Sequence, residues 1–109
     1  MAIARRYEIY LPLTHNDGRR VERSKFGRTG DELLAQFGGL TRMKADAGAA
    51  FKGDWVSEGR LFSDDIIAYV IYTLDVNAGD AFMRDYKRVL KRRFKQDEIL
   101  LVAQIVELF

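Results

Sequence analysis

The sequence contains no cysteine, one histidine (His15) and one proline (Pro12) in 109 residues. Without cysteine there is no disulfide, no thiolate nucleophile and no zinc site built on thiolates. A lone histidine is too few for a histidine-based metal centre, so neither metal nor cofactor is expected. No apolar run approaches the roughly 20 residues of a membrane helix, and the first residues lack the long apolar segment of a signal peptide. The expectation is a soluble, cytoplasmic chain with no membrane association. Internal repeats, low-complexity tracts and linker-like stretches are also missing, so residues 1–109 are expected to form one domain.

What is present is ordinary for a globular protein: 48% apolar and 31% charged residues, which argues against disorder. Lysine and arginine exceed aspartate and glutamate only by 18 to 16. Distribution therefore matters more than the total. The excess collects at Arg5, Arg6, Arg19 and Arg20, and in the segment 81–95.

In that last segment Phe82, Met83, Tyr86, Val89, Leu90 and Phe94 recur at helical spacing and predict one buried stripe. Asp80 is the predicted N-cap, with Asn77 competing one turn earlier. Arg84, Arg88, Lys91, Arg92 and Lys95 fall on the opposite side and form a basic face. Residues 98–109 then read as a strand that is apolar on both sides.

Near the N-terminus Tyr7, Ile9, Leu11 and Leu13 alternate with Arg6, Glu8, Tyr10 and Pro12, the pattern of a half-buried strand. His15-Asn16-Asp17-Gly18 is a turn, since Asn, Asp and Gly tolerate left-handed backbone angles. Residues 19–28 read as an ordered loop or irregular extension. Thr29-Gly30-Asp31-Glu32 fits a capping box and predicts a short helix start, with Leu33, Leu34 and Phe37 buried and Gly38-Gly39 ending it. A strand from residue 40 to 44 is interrupted by the small-residue stretch 45–53 and resumes at 55–57. Glu58-Gly59 turns the chain into 60–62, and 66–76 is the most strand-like segment.

The order strand, helix, strand, strand, helix, strand predicts a ferredoxin-like βαββαβ α+β fold: a four-stranded antiparallel sheet with both helices on one face. The first and third strands are central and the last is an edge. On the open face the pattern places Tyr10, Ile67, Tyr69, Ile71, Val102 and Val106, an apolar surface without a covering layer. Such patches mark interfaces, and closed symmetric dimers are the commonest solution, so a homodimer or higher assembly is expected. The alternative is that the 45–53 insertion, with Phe51 and nearby Trp55, folds over that face.

The phrases Phe37-Gly38-Gly39-Leu40-Thr41, Gly53-Asp54-Trp55, Tyr86-Lys87 and Phe94-Lys95-Gln96-Asp97-Glu98-Ile99-Leu100 resemble small bacterial proteins of unknown function with a ferredoxin-like fold. The resemblance spans most of the chain from Tyr7 onward and implies that fold, with no activity to carry over. Proteins of the dimeric alpha-plus-beta barrel superfamily, which are similar in fold, pair through their sheets. A partial likeness to the RNA-recognition motif rests on Ile9-Tyr10-Leu11 and on Ala68-Tyr69-Val70-Ile71-Tyr72, and implies Tyr10 and Tyr69 as base-stacking residues. Asp65, Ile66 and Ile67 depart from that motif, and Asp64-Asp65 would repel phosphate.

No catalytic constellation is recognisable. His15 is the first candidate for proton transfer, but as a polar residue in a turn it is expected to be exposed and without a role. Glu58, Asp64 and Asp65 offer oxygen ligands at a spacing that matches no cation loop. Trp55 reads as a core or interface anchor. Gly38-Gly39 precedes a strand and so is not a phosphate loop. The expected function is a non-catalytic interaction protein, self-associating through its sheet and presenting the basic helix to a protein partner. The alternatives are single-stranded RNA or other nucleic-acid binding, for which the same cations would contact phosphates, and a small-ligand binder or enzyme of the dimeric barrel type.

Overall fold

The computed structural model describes residues 1–44, 52–57 and 60–109, with side chains described for 1–43 and 66–109. Along the chain run β1 (Ala2–Pro12), α1 (Arg23–Phe37), β2 (Thr41–Lys44), β3 (Lys52–Ser57), β4 (Arg60–Thr73), α2 (Val76–Arg93) and β5 (Leu100–Leu108). The strand order is β2-β4-β1-β5, all antiparallel, and β3 pairs with the early part of β4 beside the same edge that receives β2. Five strands thus occupy four positions. This is the ferredoxin-like α+β arrangement, with β1 and β4 central and β5 at an edge. The expectations placed on the 45–53 insertion and on Phe51, Trp55, Glu58, Asp64 and Asp65 lie outside the described residues or side chains.

Register decides which residues share a face, because directly opposed residues in a ladder point the same way. Tyr7, Ile9 and Leu11 of β1 stand opposite Ile71, Tyr69 and Ile67 of β4. All six are buried under the helices, together with Leu33 of α1, Met83, Tyr86 and Leu90 of α2, and Phe94 and Ile99. The predicted helical stripe is therefore real, and Phe82 and Val89 flank it partly buried. An aromatic run links the layers: Phe82 meets Phe37 edge-on at 5.3 Å and stacks on Tyr86 at 4.9 Å. Tilted and offset ring pairs of this kind are the favoured geometries.

Three sequence expectations need correction here. Ile67, Tyr69 and Ile71 do not lie on the open face; they are core. The polar residues that suggested otherwise sit at the end of the strand and serve the next helix: Thr73 Oγ1 accepts from the Asp75 amide, and Asp75 caps α2 by accepting from the Ala78 amide at 3.1 Å. The N-cap is thus Asp75 rather than Asp80 or Asn77.

The second correction concerns α1, which begins at Arg23, within the stretch read as a loop. Its N-cap, Glu22, makes no side-chain cap bond, and its first turn carries no acid, so the usual start signals are missing. Thr29 lies inside the helix, where its hydroxyl donates to the Lys25 carbonyl at 2.7 Å. Gly38 does end the helix as expected, at φ 79°, with its amide donating to the Leu34 carbonyl. Third, His15 is buried rather than exposed; its ring nitrogens make no hydrogen bond among the described residues, and Nε2 lies 3.5 Å from Glu22 Oε2.

Candidate interaction site

The face of the sheet away from the helices carries Ala4, Arg6, Glu8 and Tyr10 from β1, Ala68, Val70 and Tyr72 from β4, Thr41 and Met43 from β2, and the even-numbered residues of β5. Charge sits at its centre and apolar side chains surround it. Arg6 and Glu8 form an ion pair, and the Tyr10 hydroxyl donates to Glu8 Oε2. Gln104 donates to Glu8 Oε1 at 3.5 Å, a long bond. Arg6 Nε donates to the Tyr72 hydroxyl at 3.1 Å, and its guanidinium lies 5.9 Å from the centre of the Tyr72 ring, within cation–π range. Around this cluster Met43, Tyr72, Leu100 and Leu108 are exposed and Val102 and Val106 half-exposed.

Of the residues expected on this face, Tyr10, Val102 and Val106 are there, while Ile67, Tyr69 and Ile71 are on the other side. The proposed stacking pair Tyr10 and Tyr69 is consequently split between opposite faces of the sheet. Tyr69 is fully buried, and its hydroxyl donates to the Phe26 carbonyl at 3.1 Å. Burial pushes its hydroxyl pKa up. Tyr72 is the residue that sequence reasoning missed, because the face of β4 had been inverted. The signal for the cluster was nonetheless present: Arg6, Glu8 and Tyr10 alternate on one side of β1, two of them opposite in charge.

The basic side of α2 is partly neutralised. Arg88 pairs with Asp85 at 3.2 Å, and Glu98 receives both Lys87 at 2.8 Å and Lys91 at 3.4 Å. The Lys87 ammonium and the Ile99 amide pull the Glu98 carboxyl down to about 2. Arg92 lines a cleft of about 730 Å³ between the helices with Ser24, Lys25, Arg28 and Arg93. Arg84 lies elsewhere, beside β5, and Lys95 follows the helix at φ 53°. Beneath the cleft Arg93, only 7% exposed, donates to Glu32 at 2.6 Å and to Thr29 at 2.8 Å. Among the described residues no cluster of acids and histidines could hold a metal, and no helix is long and apolar enough to cross a membrane.

The fold places the chain among ferredoxin-like α+β proteins, and two solved structures share it closely. CutA1 from Oryza sativa superposes with a TM-score of 0.65 at 9% identity, over 99% of this chain and 84% of that one. A phage SAM lyase in complex with S-methyl-5'-thioadenosine superposes with a TM-score of 0.66 at 13% identity, over 93% and 80% of the two chains. At these identities the likeness is one of fold. No protein-family profile matches the chain, and no curated protein sequence does.

Proposed function

We propose that this is a small non-catalytic interaction protein that associates with copies of itself through the open face of its sheet, and that exposed cations of α2 serve a protein partner. The observation that supports this is the pairing of polar groups on that face. Arg6, Glu8, Tyr10, Tyr72 and Gln104 satisfy one another within a single chain. A face on which these groups already have partners loses water with fewer donors and acceptors left unmet, and unmet groups are what makes burial costly. The apolar rim supplies the gain, at roughly 25 cal/mol per Å² covered.

The test is molar mass by light scattering after size exclusion, for the unchanged protein and for Met43→Glu. Met43 is exposed on β2, on the open face opposite Ala68 and outside the buried cluster under the helices, so the substitution adds charge to that face. An oligomer that Met43→Glu dissociates is the expected result. A monomeric unchanged protein, or an oligomer indifferent to the substitution, counts against the proposal.

A further inference from the structure

The outer edge of β5 raises a separate question from the open face. One edge of this strand pairs with β1 over residues 100–108; the other has no partner strand among the described residues. Exposed edges are normally blunted by lysine, proline, a bulge or a short length. Here the strand is nine residues long, Leu-Leu-Val-Ala-Gln-Ile-Val-Glu-Leu, with Glu107 as its single charge. Leu100 is 60% and Ile105 54% exposed.

We infer that this edge pairs with the same edge of a second copy, antiparallel, about a two-fold axis through Gln104. The sequence is close to symmetric about that residue. On the open side of the sheet the pairing sets Leu100 opposite Leu108 and Val102 opposite Val106, with the two Gln104 amides at the axis. On the helix side it sets small Ala103 opposite large Ile105, and Leu101 opposite Glu107. Opposed side chains stand about 4.5–5.5 Å apart at Cβ, so each of these pairs would be in contact.

The helix side supplies charge and shape to match. A recess of about 250 Å³ runs between α2 and β5, lined in part by Met83, Arg84, Lys87, Leu101 and Ala103. Ile105 of the second copy, facing Ala103, would enter its apolar part. Glu107 of the second copy, facing Leu101, would reach Arg84, which is exposed, forms no ion pair among the described residues, and has as its acidic neighbour Asp80, a carboxylate already held by Arg5 and Tyr7. Glu107 is likewise exposed, with no ion pair among the described residues. A two-fold axis makes this ion pair twice. An isologous contact of this kind covers both edges in one step, so neither β5 is left free to recruit a further strand.

This contact is independent of the open-face contact, and the experiment separates them. Glu107→Arg reverses a charge on the helix side, where a face-to-face contact would not feel it. It should raise the concentration at which assemblies dissociate about tenfold, since both symmetry-related surface pairs turn repulsive. Adding Arg84→Glu should restore the affinity. In the cysteine-free chain, Ala103→Cys and Ile105→Cys proteins mixed together should oxidise to a covalent heterodimer far faster than either alone, because the edge pairing opposes 103 and 105 on the helix side, away from the open face, with Cα atoms at about 4.5–5.5 Å and within disulfide reach. Failure of Glu107→Arg to weaken assembly, failure of the double variant to recover, or no preferential linking between 103 and 105 would each overturn the edge pairing. None of these results bears on Met43→Glu, which reads the face alone.

Discussion

The Tyr7 hydroxyl donates to Asp80 Oδ1 at 2.6 Å, tying the middle of β1 to the beginning of α2. Arg5 completes the cluster with two bonds to the same carboxylate, at 3.2 and 2.9 Å. These partners hold the Asp80 carboxyl below the usual range, Arg5 foremost, while burial and the carboxylate push the Tyr7 hydroxyl well up. Tyr7→Phe keeps the ring and removes one charge-assisted bond. It should cost about 1–2 kcal/mol in urea unfolding. Urea midpoints equal to the unchanged protein's would show that water replaces the hydroxyl at no cost.

Gly79 lies against that same hydroxyl. A Cβ placed there would come within 2.5 Å of the Tyr7 oxygen and 2.8 Å of Thr73 Cγ2. Gly79→Ala gains up to about 1 kcal/mol of helix propensity but meets an overpacking cost of about 1–3 kcal/mol. The net effect should be destabilising by roughly 1 kcal/mol. In Gly79→Ala combined with Tyr7→Phe the loss should be smaller than the sum of the two, a coupling that a double-mutant cycle would measure.

Arg93 joins the two helices through Glu32 and Thr29. Arg93→Ala should destabilise by about 2 kcal/mol, below the roughly 3–5 kcal/mol of a fully buried pair, because Glu32 is 37% exposed and water screens it. Arg93→Lys should recover part of this, since a single ammonium cannot reproduce the guanidinium fork. Thermal unfolding of the three proteins checks the order.

Stability should fall at both ends of the pH scale. Asp80, Asp17 and Glu32 have lowered carboxyl pKa values, and Glu22 and Glu98 lie at about 2. Depressed carboxylates contribute stability above their unfolded values near 4, and that contribution is lost as pH drops toward 2. Tyr86, shielded from water and bonded to Glu32, is raised to about 12, and Tyr7 and Tyr69 also move upward. Their contribution is complete below pH 10 and lost as pH rises through the folded values. Thermal midpoints should therefore be level between about pH 5 and 9. Absorbance at the tyrosinate band should show Tyr7, Tyr69 and Tyr86 ionising only as the chain unfolds.

Much of this architecture was legible because its periodicities are strong. The alternation of Tyr7, Ile9 and Leu11, and the helical spacing of Met83, Tyr86, Leu90 and Phe94, each fixed a buried side correctly. The face of β4 was not legible from alternation, because Ile66, Ala68, Val70 and Tyr72 are about as apolar as Ile67, Tyr69 and Ile71. Only the pairing with β1 distinguishes them. The start of α1 escaped for a related reason: a cationic first turn with Gly27 and Gly30 inside the helix contradicts every local signal, and tertiary contacts of Phe26 and Leu33 override it.

The central position of β1 has a consequence for the order in which the chain can fold as it is made. Its two neighbours are residues 66–73 and 100–108, so β1 leaves the ribosome before either of them and must stay unpaired until they follow. Every contact that holds it in the sheet spans a long separation in sequence, which slows folding and leaves an apolar strand exposed meanwhile. Arg6 and Glu8, alternating with Tyr7, Ile9 and Leu11, put charge into that segment, and charge along an unpaired strand opposes pairing with the wrong partner.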